Sequence, residues 1–206
     1  SELGTTGEKG AGMEHAAGVE EFPRFETSKM GVWIFLFSEV LLFGGLFATY
    51  AVFRSLFLQD FARDHHELDV TLGAINTVVL LCSSLSVALG VAFVQRGKTR
   101  PLKLCLGITI LLGLVFLVIK YFEYSGKFAH GIYPWTSSFF SIYFLMTGIH
   151  GAHVLGGLVA LSLVLYWTFQ GRFSATNYVR VEGTALYWHL VDIVWIYLFP
   201  LLYLVA

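Results

Sequence analysis

From Met30 to Phe57 the chain is almost unbroken apolar sequence, yet it carries a carboxylate, Glu39, near the centre of the run. A run of this length is enough to span a bilayer, which takes about 20 helical residues. An ionisable group at that depth is costly unless it faces protein or a wet cavity. Glu39 therefore has two readings. It is either a functional group, the default for an intramembrane carboxylate, or a neutral acid hydrogen-bonded across a helix pair.

Five segments in all are long and apolar enough to cross: about 29–57, 71–95, 102–124, 136–169 and 180–205. Backbone groups in hydrocarbon must be bonded within their own segment, and period-two alternation is absent, so the segments are helices and not barrel strands. Composition agrees: 56% of the residues are hydrophobic and 13% charged, against about 25% charged in a soluble domain. The expected fold is all-α, a polytopic membrane protein with an aqueous tail at 1–28 and a five-helix membrane domain at 29–206. The tail has no apolar core of the kind a signal peptide carries. A net charge of -1 gives no support for a nucleic-acid partner. Cys82 and Cys105 fall inside apolar segments and read as packing residues.

Loop charge sets the expected orientation. Lys9, Arg24, Lys29, Arg96, Lys98, Arg100, Lys103, Arg172 and Arg180 fall on one side; Arg54, Arg63 and Lys127 fall on the other. The positive-inside bias then puts the N-terminus in the cytoplasm and the C-terminus on the outer side. The fourth segment is too long for the hydrocarbon layer and should tilt or project. Thr136, Ser137 and Ser138 are candidate caps for its start, and Pro200 should bend the end of the fifth. Gly44, Gly45, Ala48, Gly148, Gly151, Ala152, Gly156 and Gly157 mark expected helix contacts. Tyr121, Tyr124, Tyr133, Trp135, Trp167 and Tyr203 suit an interfacial belt.

The remaining polar residues carry the functional signal. His150 and His153 lie three apart on one helix face and are weighed both as metal or haem ligands and as interhelical hydrogen-bonding groups. Glu182 and His189, seven apart, share a stripe on the fifth segment; His189 and Asp192, three apart, are placed to meet. Lys120 and Glu123 are expected to pair near the outer interface as helix-bracing groups, with Lys120 snorkelling. These residues fit a stand-alone proton transporter or channel using Glu39 and Asp192, although no inverted repeat is visible. They also fit a membrane metalloenzyme built on His150, His153 and His189.

Four stretches, in order, resemble subunit III of the haem–copper terminal oxidases: Trp33 to Glu39, Ile75-Asn76-Thr77 running to Ser83-Ser84, Thr147 to Val154, and Tyr187 to Trp195. Glu123-Tyr124 matches the family's Glu-Tyr pair. The resemblance is to the short bacterial five-helix form, so one arm of the family's cleft is supplied by another subunit or by lipid. It implies a non-redox subunit of a cytochrome c or quinol oxidase in the bacterial inner membrane, with no catalytic centre of its own. Haem and copper would sit in partner subunits. Subunit I would be the direct neighbour, with subunits II and IV nearby, and membership of a respiratory supercomplex stays open. The implied role is to bind phospholipid in a cleft and to support proton uptake into, and the stability of, subunit I. Glu39 matches the family's buried carbodiimide-reactive carboxylate, and His153 the second histidine of the His-Gly-x-His run. Lys120 stands where many members have Gln.

Overall fold

In the computed structural model of the protein, residues 21–174 and 177–204 are described, with side chains described from residue 30 onward. The aqueous tail expected at 1–28 lies largely outside them. Where it is described, from Glu21, the chain is already helical, so α1 (Glu21–Leu56) begins before the apolar run does.

A short helix α2 (Leu58–Asp64) and a 3-10 turn lead from α1 into α3 (Val70–Gln95), α4 (Thr99–Ala129), α5 (Ser138–Phe169) and α6 (Val179–Phe199). Five of these helices are long and apolar enough to cross a membrane. Each begins and ends for local reasons. Asp69 caps α3 by accepting from the Thr71 and Leu72 amides at 2.9 and 3.1 Å. Ser137 caps α5 through the Phe140 amide. Gly97, Gly131 and Gly171 each sit two residues past a helix end with φ between 71° and 76°, a left-handed stop that a side chain would strain. At Pro200 the last helix passes into a π-helical turn, Pro200–Leu204, because the ring has no N–H to continue the ladder.

Helices α3 to α6 form a four-helix bundle, and α1 leans against α5 and α6. The bundle core is filled by Phe116, Tyr143, His150, Trp188 and Trp195, all essentially inaccessible. The hydroxyls of α3 join it to α4: Ser83 donates to the Thr109 carbonyl at 3.3 Å and Ser86 to that of Cys105 at 3.0 Å. Among the described side chains of α1 only a narrow stripe is buried, Leu36, Phe43 and Tyr50, spaced seven apart. Glu39 lies on that same side. The Tyr50 hydroxyl donates to the Leu201 carbonyl and ties α1 to the end of the chain.

Candidate functional site

Glu39 and His153 meet where α1 leans on α5. His153 Nε2 lies 2.8 Å from Glu39 Oε2, and both side chains are largely shielded, 20% and 14% exposed. The other ring nitrogen, Nδ1, lies 2.8 Å from the Ile149 carbonyl, which only accepts, so Nδ1 carries a proton. The contact between Nε2 and the carboxyl then needs one further proton, held either as imidazolium beside carboxylate or as carboxylic acid beside neutral imidazole. Glu39 and His153 thus share one proton across this contact. Phe43 covers the imidazole edge-on at 5.0 Å between centroids. Tyr187 of α6 donates to the His153 carbonyl at 3.1 Å and draws α6 into the same junction.

A groove of about 540 Å³ runs from Phe35 and Tyr187 at this junction, between α1, α5 and α6, to Arg180. Its walls are apolar (Val32, Ala160 and Leu163 among them), and the Arg180 guanidinium lies 5.2 Å over the Trp167 ring. An apolar trough with a cation at one end matches the shape and charge of an anionic amphiphile. Glu182 lies across the α1–α6 contact, in a second groove with Trp33 and Leu186.

Lys120 does not snorkel. Its ammonium points into the bundle, donating to Glu123 at 2.8 Å and to the Tyr203 hydroxyl at 2.7 Å, and it sits 4.8 Å from the Trp195 ring centroid. Glu123 also accepts from Tyr143 at 2.8 Å and from Tyr203 at 2.6 Å. The ion pair is not interhelical: both residues lie on α4, and it reaches its neighbours through Tyr143, Tyr203 and the Trp195 ring. Snorkelling serves a cation that faces lipid; here donors and acceptors inside the bundle satisfy the charge. Tyr203 is correspondingly buried and does not belong to the interfacial belt. Sequence reasoning misses Tyr143, because an aromatic residue in an apolar helix carries no sign of which partner its hydroxyl will find.

The two histidines of α5 part company. His150 is fully buried between Phe116 and Trp195 and makes no hydrogen bond. Among the described residues no three His, Cys, Asp or Glu side chains converge as a metal site would require. The expected His189–Asp192 contact is also absent: His189 Nδ1 shares a 2.6 Å hydrogen bond with Ser84 of α3, and the Asp192 carboxyl lies beside that same hydroxyl. The α3 hydroxyl presents itself at hydrogen-bond length and takes the ring. Glu182 and His189 share a stripe but face different neighbours, so the two do not form one site.

The chain matches the family model for cytochrome c oxidase subunit III over residues 13–206. It is similar to cytochrome c oxidase subunit 3 of Synechocystis sp., with 37% identity over 84% of this chain and 74% of the relative. It is also similar to cytochrome c oxidase subunit 3 of Corynebacterium diphtheriae, 34% identical over 85% of this chain and 87% of the relative. Cytochrome bo(3) ubiquinol oxidase subunit 3 of Pseudomonas putida is 31% identical, over 88% of this chain and 87% of its own length.

Proposed function

The chain belongs to the cytochrome c oxidase subunit III family and is a multi-pass protein of the bacterial inner membrane; on that premise we propose that it is the non-redox subunit III of a proton-pumping haem–copper oxygen reductase, holding phospholipid against subunit I and supporting that subunit's proton uptake and endurance. The observation that carries this reading is the Glu39–His153 pair, joined through Tyr187 to the groove that ends at Arg180. A shared proton beside a lipid-shaped trough suits a subunit that conditions the surroundings of a redox centre. The reading assigns haem and copper to partner subunits. Both nitrogens of His153 are already engaged, one with a carbonyl and one with Glu39, so that ring has no free lone pair to give a metal. The loop charges orient the N-terminus to the cytoplasm in this reading.

Relatives carry both cytochrome c and ubiquinol oxidase names, so the electron donor is a property to be read from the partner subunits. The experiment is to purify the oxidase with and without this chain and follow oxygen consumption over many turnovers. The initial rate should be largely kept without it, while the number of turnovers before inactivation should fall severalfold. Glu39→Gln in the whole complex should preserve the initial rate. An oxidase equally durable without the chain, or one that loses all activity with Glu39→Gln while still assembled, overturns the proposal.

A further inference from the structure

Three side chains in the bundle are buried to 2% exposure or less and are short of hydrogen-bond partners: Asn76 on α3 and His150 on α5, which have none, and Asp192 on α6, which has Ser84 alone beside it. Buried amide, imidazole and carboxyl groups are almost always bonded, and most strictly so inside a membrane. None of the three belongs to the Glu39–His153 junction or to the Lys120–Glu123 cluster.

Their heights in the bundle are fixed by the tryptophans of α6. Trp195 Nε1 donates to the Thr77 hydroxyl at 3.1 Å, and Trp188 Nε1 to that of Ser83 at 2.9 Å. These two bonds set the antiparallel register of α3 and α6. Asn76 is one residue from Thr77. Asp192 falls between the two tryptophans, level with about residue 80, so it lies about 6 Å from Asn76 along the helix axes at about 1.5 Å per residue. The His150 ring is 5.3 Å from the Trp195 ring. All three groups therefore sit within about one helical turn of Trp195. Ser84, which shares its hydroxyl with His189, also lies within hydrogen-bonding reach of the Asp192 carboxyl, so Asp192 has one polar protein neighbour while Asn76 and His150 have none.

We propose that α3, α5 and α6 enclose an internal hydration site in which ordered water is hydrogen-bonded to Asn76, His150 and Asp192 around Trp195. One water bridging two groups spans about twice a hydrogen-bond length, roughly 5.6 Å, so groups within about one helical turn in height are within reach of one or two waters. The chemistry favours water over a cation. Asp192 is the only carboxyl of the three, too few for a cation's ligand set, and the Lys120 ammonium already lies 4.8 Å from the Trp195 ring. The site ties three helices through polar contacts that none of them makes directly.

The test uses the wild-type membrane complex in which the chain purifies. Hydroxyl radicals generated by an X-ray pulse label side chains that touch bound water, whatever their solvent exposure. Trp195 and Trp188 are both fully buried and serve as probe and control. Trp195 should be labelled severalfold faster than Trp188, and Asn76→Leu should bring its rate down to that of the control. Electron cryomicroscopy at a resolution that shows ordered water should place at least one within about 2.7–3.2 Å of the Asn76 amide and of the His150 ring. The wild-type measurements stand even if Asn76→Leu does not assemble. Equal, slow labelling of both tryptophans, or a map in which the three side chains bond directly to protein with nothing between them, overturns the proposal.

Discussion

The ionisable residues of this chain are held by very different partners, and each answers to substitution accordingly. Lys120 and Glu123 form a closed unit in which the carboxylate takes one ammonium and two phenol donors. Removing the cation leaves a buried anion with hydroxyls alone. Lys120→Met should therefore destabilise the subunit by about 3–5 kcal/mol, the usual cost of breaking a buried pair from one side. Lys120→Gln keeps a donor for Glu123 and should cost distinctly less. Thermal unfolding of the purified complex measures both, and equal losses would contradict the role given to the ammonium. Glu39 differs because its partner accepts or donates with one proton between them. A Gln there still donates to His153 Nε2, which is why Glu39→Gln is expected to be mild. Glu39 was legible in the sequence, since a carboxylate in an apolar run admits few explanations. Its bond to His153 was not legible from spacing, because nothing in the α5 pattern separates a histidine facing α1 from one facing the bundle; the family resemblance alone placed that histidine near the carboxylate.

At the scale of elements, the five spans follow from apolar length, and several of their ends from Asp69, Ser137 and the glycines past α3, α4 and α5. The helix contacts follow much less. Among the glycines expected to mark close approach, Gly44, Gly45, Gly148 and Gly151 have no neighbour within 4 Å of a built side-chain carbon, whereas Gly157 does. Gly113, on a helix where no glycine is singled out, is equally crowded. The reason is physical: a small residue permits close approach on whichever face it lies, and only the partner's shape decides whether the approach happens. Here the partner is the Trp188 ring, wedged between α4 and α5. A carbon added at Gly157 would lie 2.7 Å from Trp188 Cε3, and one at Gly113 would lie 2.7 Å from Leu158 Cδ2 and 2.8 Å from Trp188 Cη2. Trp188 cannot retreat without giving up its bond to Ser83. Gly157→Ala should cost about 1–3 kcal/mol as an overpacked core site, while Gly151→Ala should be near neutral or slightly stabilising as a helix interior substitution. Denaturant titration of the two variants in detergent separates them, and a harmless Gly157→Ala would mean that the tryptophan is not wedged as described.

For the whole molecule, response to acid in the aqueous segments falls on the connection between the first two spans. Phe61 of α2 packs edge-on against both Tyr50 of α1 and Phe139 of α5, at 5.5 and 5.2 Å, so this connection joins α1 to the bundle. Asp64 closes it. Burial alone would raise the Asp64 carboxyl, but hydrogen bonds from Arg63 and Ser137 and the Arg63 charge outweigh that and hold it below its usual value of 3.8. The folded state thus binds this proton more weakly than the unfolded state does. Its contribution is complete well above 3.8, falls as the pH drops through the usual value toward the lowered folded one, and is gone below that. Arg63 is largely exposed, so the contribution is modest, about 1 kcal/mol or less. Asp64→Asn should lower the unfolding temperature of the complex by a small, constant amount from about pH 8 to pH 5, and the gap from wild type should close as the pH is taken lower. Hydrogen exchange at α2 should show the same convergence, because Asp64 ties the end of α2 to Ser137 at the start of α5. A gap that widens on acidification would reverse the sign of the linkage and place the acid-sensitive contact elsewhere in the fold.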